Sequence, residues 1–241
     1  MVITSLENAK VKDVVKLQSK KYRDLTNTFV VETEHLVEEA EKCGIVKELF
    51  LVEEEFVDSD GINYVTSEVM KKMSSMESPS NVLAVCEKIN SKEIVGDKLL
   101  LLDNIQDPGN LGTIIRSSVA FGVTTIILSP DTVDLYNPKV IRASEGMFCH
   151  INIITMDLED AINFIKEKGI KVYGTNVNNG VDVKSITDKS SYALIMGNEG
   201  NGVKSNIQEL CDENLYIPMQ EACESLNVGV ACSILLYELG E

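Results

Sequence analysis

Asp103-Asn104-Ile105-Gln106-Asp107-Pro108-Gly109-Asn110-Leu111-Gly112-Thr113-Ile114-Ile115-Arg116 is the stretch on which the reading of this chain turns. The four leucines 99–102 run straight into it and predict a fully buried strand. A Pro-Gly pair then turns the chain, and Asn110 is placed to cap a helix whose first turns carry Thr113 and Arg116. An amide and a permanent cation at the carboxyl end of a buried parallel strand sit where open α/β sheets bind ligands. A capped helix with a surface arginine explains the same residues, and this stretch alone leaves both readings open.

Outward from it, residues 98–241 alternate strand and helix. Strands are predicted at 99–103, 124–128, 150–155, 170–174, 192–196 and 214–217. Helices are predicted near 110–121, 138–143, 158–168 and 204–210, and 228–239 closes the chain. Such alternation implies an α/β fold with a mostly parallel sheet and helices on both faces. The first ninety residues read as a separate small α/β module. Asn8 caps a helix with the apolar stripe Val11, Val14, Val15 and Leu17. Strands follow at 29–31, 48–52 and 82–86, with helices at 34–43, stopped by Gly44, and at 67–73. The polar stretch 88–93 is the expected linker, giving domains at 1–92 and 98–241.

Composition narrows the class. Hydrophobic residues make up 44% of 241 positions, enough for a substantial core. No apolar run approaches a membrane span, and residues 1–7 lack a secretion signal. The six cysteines are scattered, without a Cys-x-x-Cys pair and with only His35 and His150 as further ligands. That pattern argues for a reducing cytoplasm and against a metal site or disulfide framework. A net charge of −16 argues against nucleic acid as a partner, yet its distribution is uneven. Residues 1–30 carry Lys10, Lys12, Lys16, Lys20, Lys21 and Arg23, while the acids gather later, in runs such as 38–41 and 53–55. A locally basic arm on an acidic body remains compatible with RNA.

Two further stretches carry chemistry. The apolar strand at 192–196 leads into Gly197-Asn198-Glu199-Gly200-Asn201-Gly202. Its G-x-x-G-x-G spacing is neither the dinucleotide fingerprint nor a Walker loop. It fits a backbone approaching a ligand closely, and equally a tight turn. Near the C-terminus, Leu215-Tyr216-Ile217-Pro218-Met219 leads to Ser225-Leu226-Asn227-Val228-Gly229-Val230-Ala231 at the mouth of the last helix. There Ser225 and Asn227 suit either a ligand or a cap.

In this order, the three segments resemble the motifs of the SpoU/TrmH family of RNA ribose 2′-O-methyltransferases, within the SPOUT superfamily, across roughly residues 98–241. The resemblance implies a C-terminal trefoil knot, S-adenosylmethionine as cofactor and a homodimer with the pocket near its two-fold interface. It implies cofactor contacts from Gly197, Asn198, Gly200, Ile217, Met219 and Leu226, to which Thr175 adds, and a catalytic set of Arg116, Asn110, Glu199, Ser225 and Asn227. Glu199 would order the site by holding Arg116 or Asn110. Arginine is too weak an acid to serve readily as a base, so stabilising a developing alkoxide is the simpler role for Arg116. The N-terminal module resembles, more loosely, the ribosomal-protein-like RNA-binding extension of the family. Lys20, Lys21 and Arg23 there, with Arg142 in the segment 137–146, are the expected RNA contacts, though Arg142 also suits a subunit contact or a solvated surface. The substrate would be ribosomal RNA or, second, transfer RNA. The rivals are a non-catalytic RNA-binding protein of the same fold and a nucleotide-cofactor oxidoreductase, the latter opposed by the glycine spacing.

Overall fold

Leu99 to Leu102 are all fully buried, and strand β5 (Lys98–Leu102) that holds them lies inside a seven-stranded sheet. A computed structural model describes residues 2–53, 61–177, 180–220 and 222–240 of the chain; Glu54 and Glu55 of the acidic run lie outside them. The described residues form two compact units, one of 1–89 with 134–149 and one of 90–133 with 150–241.

In the first unit, α1 (Ala9–Lys16), α2 (Lys20–Thr26), β1 (Thr28–Glu32), α3 (Glu34–Lys42), β2 (Val46–Val52), β3 (Ile62–Val65), α4 (Ser67–Met73) and β4 (Val82–Glu87) precede α6 (Pro138–Ala143), which comes later in the chain. The strands make a sheet of order β1-β4-β2-β3, antiparallel except for β2 with β3. Val11 and Val14 of α1, Leu17 at its end, and Val69, Met70 and Met73 of α4 pack against Phe50, Val52, Val65, Leu83 and Val85 of the sheet. Asn8 caps α1 as its position predicts, accepting from the Lys10 amide at 2.9 Å.

The segment 134–149, read from sequence as part of the second domain, packs in this first unit. The reason is aromatic: Tyr136 and Phe148 lie 4.5 and 5.6 Å, centroid to centroid, from the buried Phe29 ring. The Tyr136 hydroxyl also accepts from the Ile89 amide at 2.8 Å and donates to the Ile89 carbonyl at 3.1 Å. Cysteines far apart in sequence meet here as well. The Cys43 thiol donates to the Cys149 carbonyl at 3.5 Å, and the Cys149 thiol donates to the Gly146 carbonyl at 3.2 Å. Burial pushes the Cys149 thiol well above its ordinary pKa, which suits a packing group more than a nucleophile.

The second unit adds α5 (Pro108–Ala120), β6 (Thr125–Leu128), β7 (Asn152–Thr155), α7 (Leu158–Glu167), β8 (Val172–Thr175), β9 (Val181–Asp182), β10 (Tyr192–Met196), α8 (Ser205–Gln208), β11 (Glu213–Tyr216) and α9 (Val228–Gly240). Its sheet has the order β7-β6-β5-β10-β8-β11-β9, and every pairing is parallel. Leu99 and Leu101 meet Leu158, Ala161, Ile162 and Ile165 of α7 on one face. Leu100 and Leu102 alternate to the other face and are equally buried, so helices cover the sheet on both sides. Among the described residues the expected elements recur within a few positions, while α2, β3 and the two-residue β9 are additions.

Candidate active site

The carboxyl ends of β5 and β10 bring two loops together. Asp107 caps α5, accepting from the Asn110 amide at 2.8 Å, with Pro108 in the first turn. This corrects the expectation that Asn110 is the cap: an Asp-Pro pair suits the cap and the first helical position better, and it frees the Asn110 side chain.

That side chain reaches the other loop. Asn110 Nδ2 donates to Glu199 Oε1 at 3.0 Å, and the same carboxylate accepts from the Asp107 amide at 3.0 Å and from the Gln106 amide at 3.1 Å. Partial burial would raise the pKa of Glu199, but these hydrogen bonds outweigh it and hold the carboxyl below the ordinary value. Asn227 Nδ2 then donates to Asn110 Oδ1 at 2.9 Å, while Asn227 Oδ1 accepts from the Gly229 and Val230 amides at the start of α9. Asn227 therefore caps a helix and orients Asn110 at once. The choice left open for Glu199 resolves to Asn110: Arg116, two turns along α5, is exposed and has no hydrogen bond or ion pair among the described residues.

The glycine loop is rigid by construction. The Asn198 and Gly202 backbones bridge each other at 3.0 and 2.9 Å, and Asn198 Oδ1 accepts from the Gly200 and Asn201 amides. Asn198 Nδ2 ties the loop to the Asn104 carbonyl at 2.9 Å. A Cβ on Gly197 would collide with the backbone of Gly202 and Val203, so only glycine lets the loop fold back there. Beyond the loop, Lys204 donates its amide to the buried Asp103 at 2.8 Å and bridges Asp131 with its ammonium at 2.7 Å.

A cleft of about 650 Å³ opens against this loop. Thr175, Gly197, Asn198, Gly200, Ile217, Met219 and Leu226 all line it, with Glu199, Ser225 and Asn227; Asn110 and Arg116 do not. The Thr175 hydroxyl is occupied, donating to the Ile195 carbonyl at 2.9 Å. No lysine or arginine is among the described residues that line the cleft, and Glu199 is the one charged side chain there. A pyrophosphate-bearing cofactor would find no cation to neutralise it. A flat heterocycle with polar edges and a positively charged group meets backbone edges, apolar walls and an acid. S-Adenosylmethionine fits that donor set.

Of the expected RNA contacts, Lys20 and Lys21 are exposed without an ion pair among the described residues, and Arg142 is half-buried. Arg23 is different. It is 3% exposed, donates to the Leu17 and Gln18 carbonyls, and pairs with Asp134 at 2.6 Å. A guanidinium with its donors turned inward is part of the core of the first unit, so Arg23, expected to contact RNA, is not placed to do so.

Comparison with known proteins gives a consistent result. Residues 97–237 match the SpoU rRNA Methylase family, and residues 8–84 match the MRM3-like substrate binding domain. Over 243 aligned positions, covering 98% of each chain, this chain is 44% identical to the 23S rRNA (guanosine(2553)-2′-O)-methyltransferase RlmP of Bacillus subtilis (strain 168). Among solved structures, the AdoMet-bound rRNA methyltransferase from Sinorhizobium meliloti superposes with a TM-score of 0.86 at 32% identity, over 99% of this chain and 97% of that one. The SpoU methyltransferase AviRb from Streptomyces viridochromogenes, in complex with AdoMet, superposes at 0.85 with 25% identity, over 97% of each.

Proposed function

The chain belongs to the SpoU rRNA methylase family, and we propose how its residues divide the work of methyl transfer to a ribose. It is an S-adenosylmethionine-dependent RNA 2′-O-methyltransferase acting on ribosomal RNA. The observation that carries the division of labour is the linked set Glu199–Asn110–Asn227 beside a cleft lined, among the described residues, by no lysine or arginine.

When bound in that cleft, S-adenosylmethionine supplies an electrophilic methyl group on a sulfonium. Ile217, Met219 and Leu226, with their apolar side chains and backbone, would hold the adenine, and the folded loop 197–202 lines the same cleft. Glu199 keeps Asn110 in one orientation, and Asn110 in turn positions the ribose. Transfer would form the ribose oxygen–methyl bond, break the methyl–sulfur bond to leave a neutral thioether, and pass the hydroxyl proton to solvent water, with negative charge developing on the oxygen as that proton leaves. Arg116 stabilises this charge, because its guanidinium is exposed and has no acid partner among the described residues. Ser225, exposed at the rim of the cleft, completes the polar surface facing the ribose.

Arg116 acts within a homodimer. Val230 and Tyr237 of α9 are 47% and 49% exposed, and Tyr237 packs on Phe121 at the end of α5. Two copies meeting through α5 and α9 would cover these apolar groups and bring Arg116 to the partner's ribose. Sedimentation of an active protein as monomer alone at micromolar concentration would contradict this. The knot expected at the C-terminal end of the sheet belongs to the same family resemblance. A crystal structure whose chain pulls straight from its ends would remove it.

The first unit selects RNA through Lys20, Lys21 and Arg142, and no step requires a metal ion. No helix among the described residues is long and apolar enough to cross a membrane; we propose a cytoplasmic setting, in line with the bacterial rRNA methyltransferase relative. Incubation of the protein with methyl-labelled S-adenosylmethionine and a 23S rRNA transcript, then digestion to nucleosides, tests the function. A 2′-O-methylnucleoside is expected; label on a base alone would overturn the assignment to ribose.

A further inference from the structure

Several cations of the first unit are neutralised where they stand, whereas Lys20 and Lys21 have no ion pair among the described residues. Lys10, Lys12, Lys16, Lys42, Lys47 and Lys88 each reach a carboxylate, and Arg23 reaches Asp134. Arg142 is an exception. Its Nη1 donates to a neutral group, the Ser75 hydroxyl, at 2.9 Å, and no carboxylate pairs with it among the described residues.

What holds Ser75 explains why. Glu32, at the end of β1, is 5% exposed. Its carboxylate accepts from the Ser74 hydroxyl, from the Ser75 amide at 3.0 Å and from the Ser75 hydroxyl at 2.6 Å. The Ser75 hydroxyl has one proton, and it is committed to Glu32. Toward Arg142 that oxygen can only accept. The polarity of the chain Arg142 to Ser75 to Glu32 is therefore fixed, and the buried carboxylate makes the hydroxyl a stronger acceptor.

A direct ion pair between Glu32 and Arg142 would anchor α6 more firmly, but it would neutralise the guanidinium. Placing a hydroxyl between them orients the guanidinium while leaving its charge and its remaining N–H donors available. That combination suits bidentate contact to a phosphate. Lys139, exposed one turn earlier on α6, adds a second cation to the same side of the helix.

We infer that Glu32 and Ser75 are positioning residues that aim Arg142 at an RNA phosphate. This rests on the RNA-contacting role given to Arg142 above. The test is affinity for a 23S rRNA transcript across a salt series, with S-adenosylmethionine affinity and melting temperature measured on the same proteins. Arg142→Ala should weaken RNA binding about tenfold and flatten the salt slope by about one phosphate equivalent. Ser75→Ala should weaken it about fivefold, Ser75→Thr should restore it, and Ser75→Ala combined with Arg142→Ala should be no weaker than Arg142→Ala alone. Glu32→Gln should shift affinity in the same direction as Ser75→Ala. Cofactor affinity should not change in any of them. If Arg142→Ala weakens binding while Ser75→Ala does not, or if their effects simply add, the positioning role is wrong. If Arg142→Ala leaves RNA affinity unchanged, the contact itself is wrong.

Discussion

Asn227 Nδ2 donates to Asn110 Oδ1 at 2.9 Å, joining residues 117 positions apart. With Glu199 accepting from the amide nitrogen of Asn110, both ends of that side chain are fixed, so its orientation is set before substrate arrives. Asn227→Ala removes the orienting donor and the cap of α9 together. Turnover should fall about 10- to 100-fold, with a loss of stability of about 1 kcal/mol from the cap. Steady-state methyl transfer and thermal unfolding measure the two effects. A variant with normal turnover and only the stability loss would reduce Asn227 to a cap.

Glu199 makes stability pH-dependent in a stated direction. Its folded pKa lies below the ordinary 4.5, so the folded state gains from ionised Glu199 at neutral pH. That gain is complete above the unfolded value and is lost as pH falls through the folded value. Glu199→Gln removes it. Between pH 6 and about pH 3 the parent should therefore lose stability more steeply than the variant. Parallel curves would show that the carboxylate gains nothing from its amide donors.

Gly197 is where the cleft depends on a missing side chain. Gly197→Ala forces the new methyl into the backbone of Gly202 and Val203, and the loop must open. Cofactor affinity should drop at least tenfold, on the order of 1.4 kcal/mol or more. Isothermal calorimetry reads this directly, with circular dichroism reporting the fold. Unchanged affinity would mean that the loop does not wall the cofactor site.

Neighbouring cations of the first unit should behave oppositely. Arg23→Ala leaves the partly buried Asp134 without its ionic partner, and the unit should lose about 3 kcal/mol. Replacing Lys20 and Lys21 by alanine should leave the melting temperature unchanged and flatten the salt dependence of RNA binding. A stable Arg23→Ala protein with weakened RNA binding would reverse this assignment.

The contrast shows what a sequence can convey. The leucine run 99–102, the glycine loop and the Ser-Leu-Asn stretch are local patterns, and each marks its own strand or turn. From the last two come Gly197, Asn198, Glu199, Gly200, Ser225, Leu226 and Asn227, which line the cleft. Arg23 could not be separated from Lys20 and Lys21, because its burial depends on Asp134, which lies 111 positions away. The placement of 134–149 in the first unit depends likewise on the packing of Tyr136, tilted, and Phe148, edge-on, against Phe29. Asn110 has the residue type of a cap, but Asp107, three residues earlier, accepts the Asn110 amide and has Pro108 at the first helical position, so the helix starts before Asn110. The short β9 carries no periodicity, and pairing with β11 defines it.

Arg116→Ala tests the central claim most directly. Ribose methylation is mapped across 23S rRNA from cells holding the parent, the variant or neither, and cofactor affinity is measured on both purified proteins. With the parent, one or more 2′-O-methyl positions should appear that are absent without the protein. With Arg116→Ala those positions should be lost, while cofactor affinity stays within about twofold, because the guanidinium acts only on charge that develops in the transition state. Methylation at parental levels with Arg116→Ala would contradict the catalytic role of this arginine.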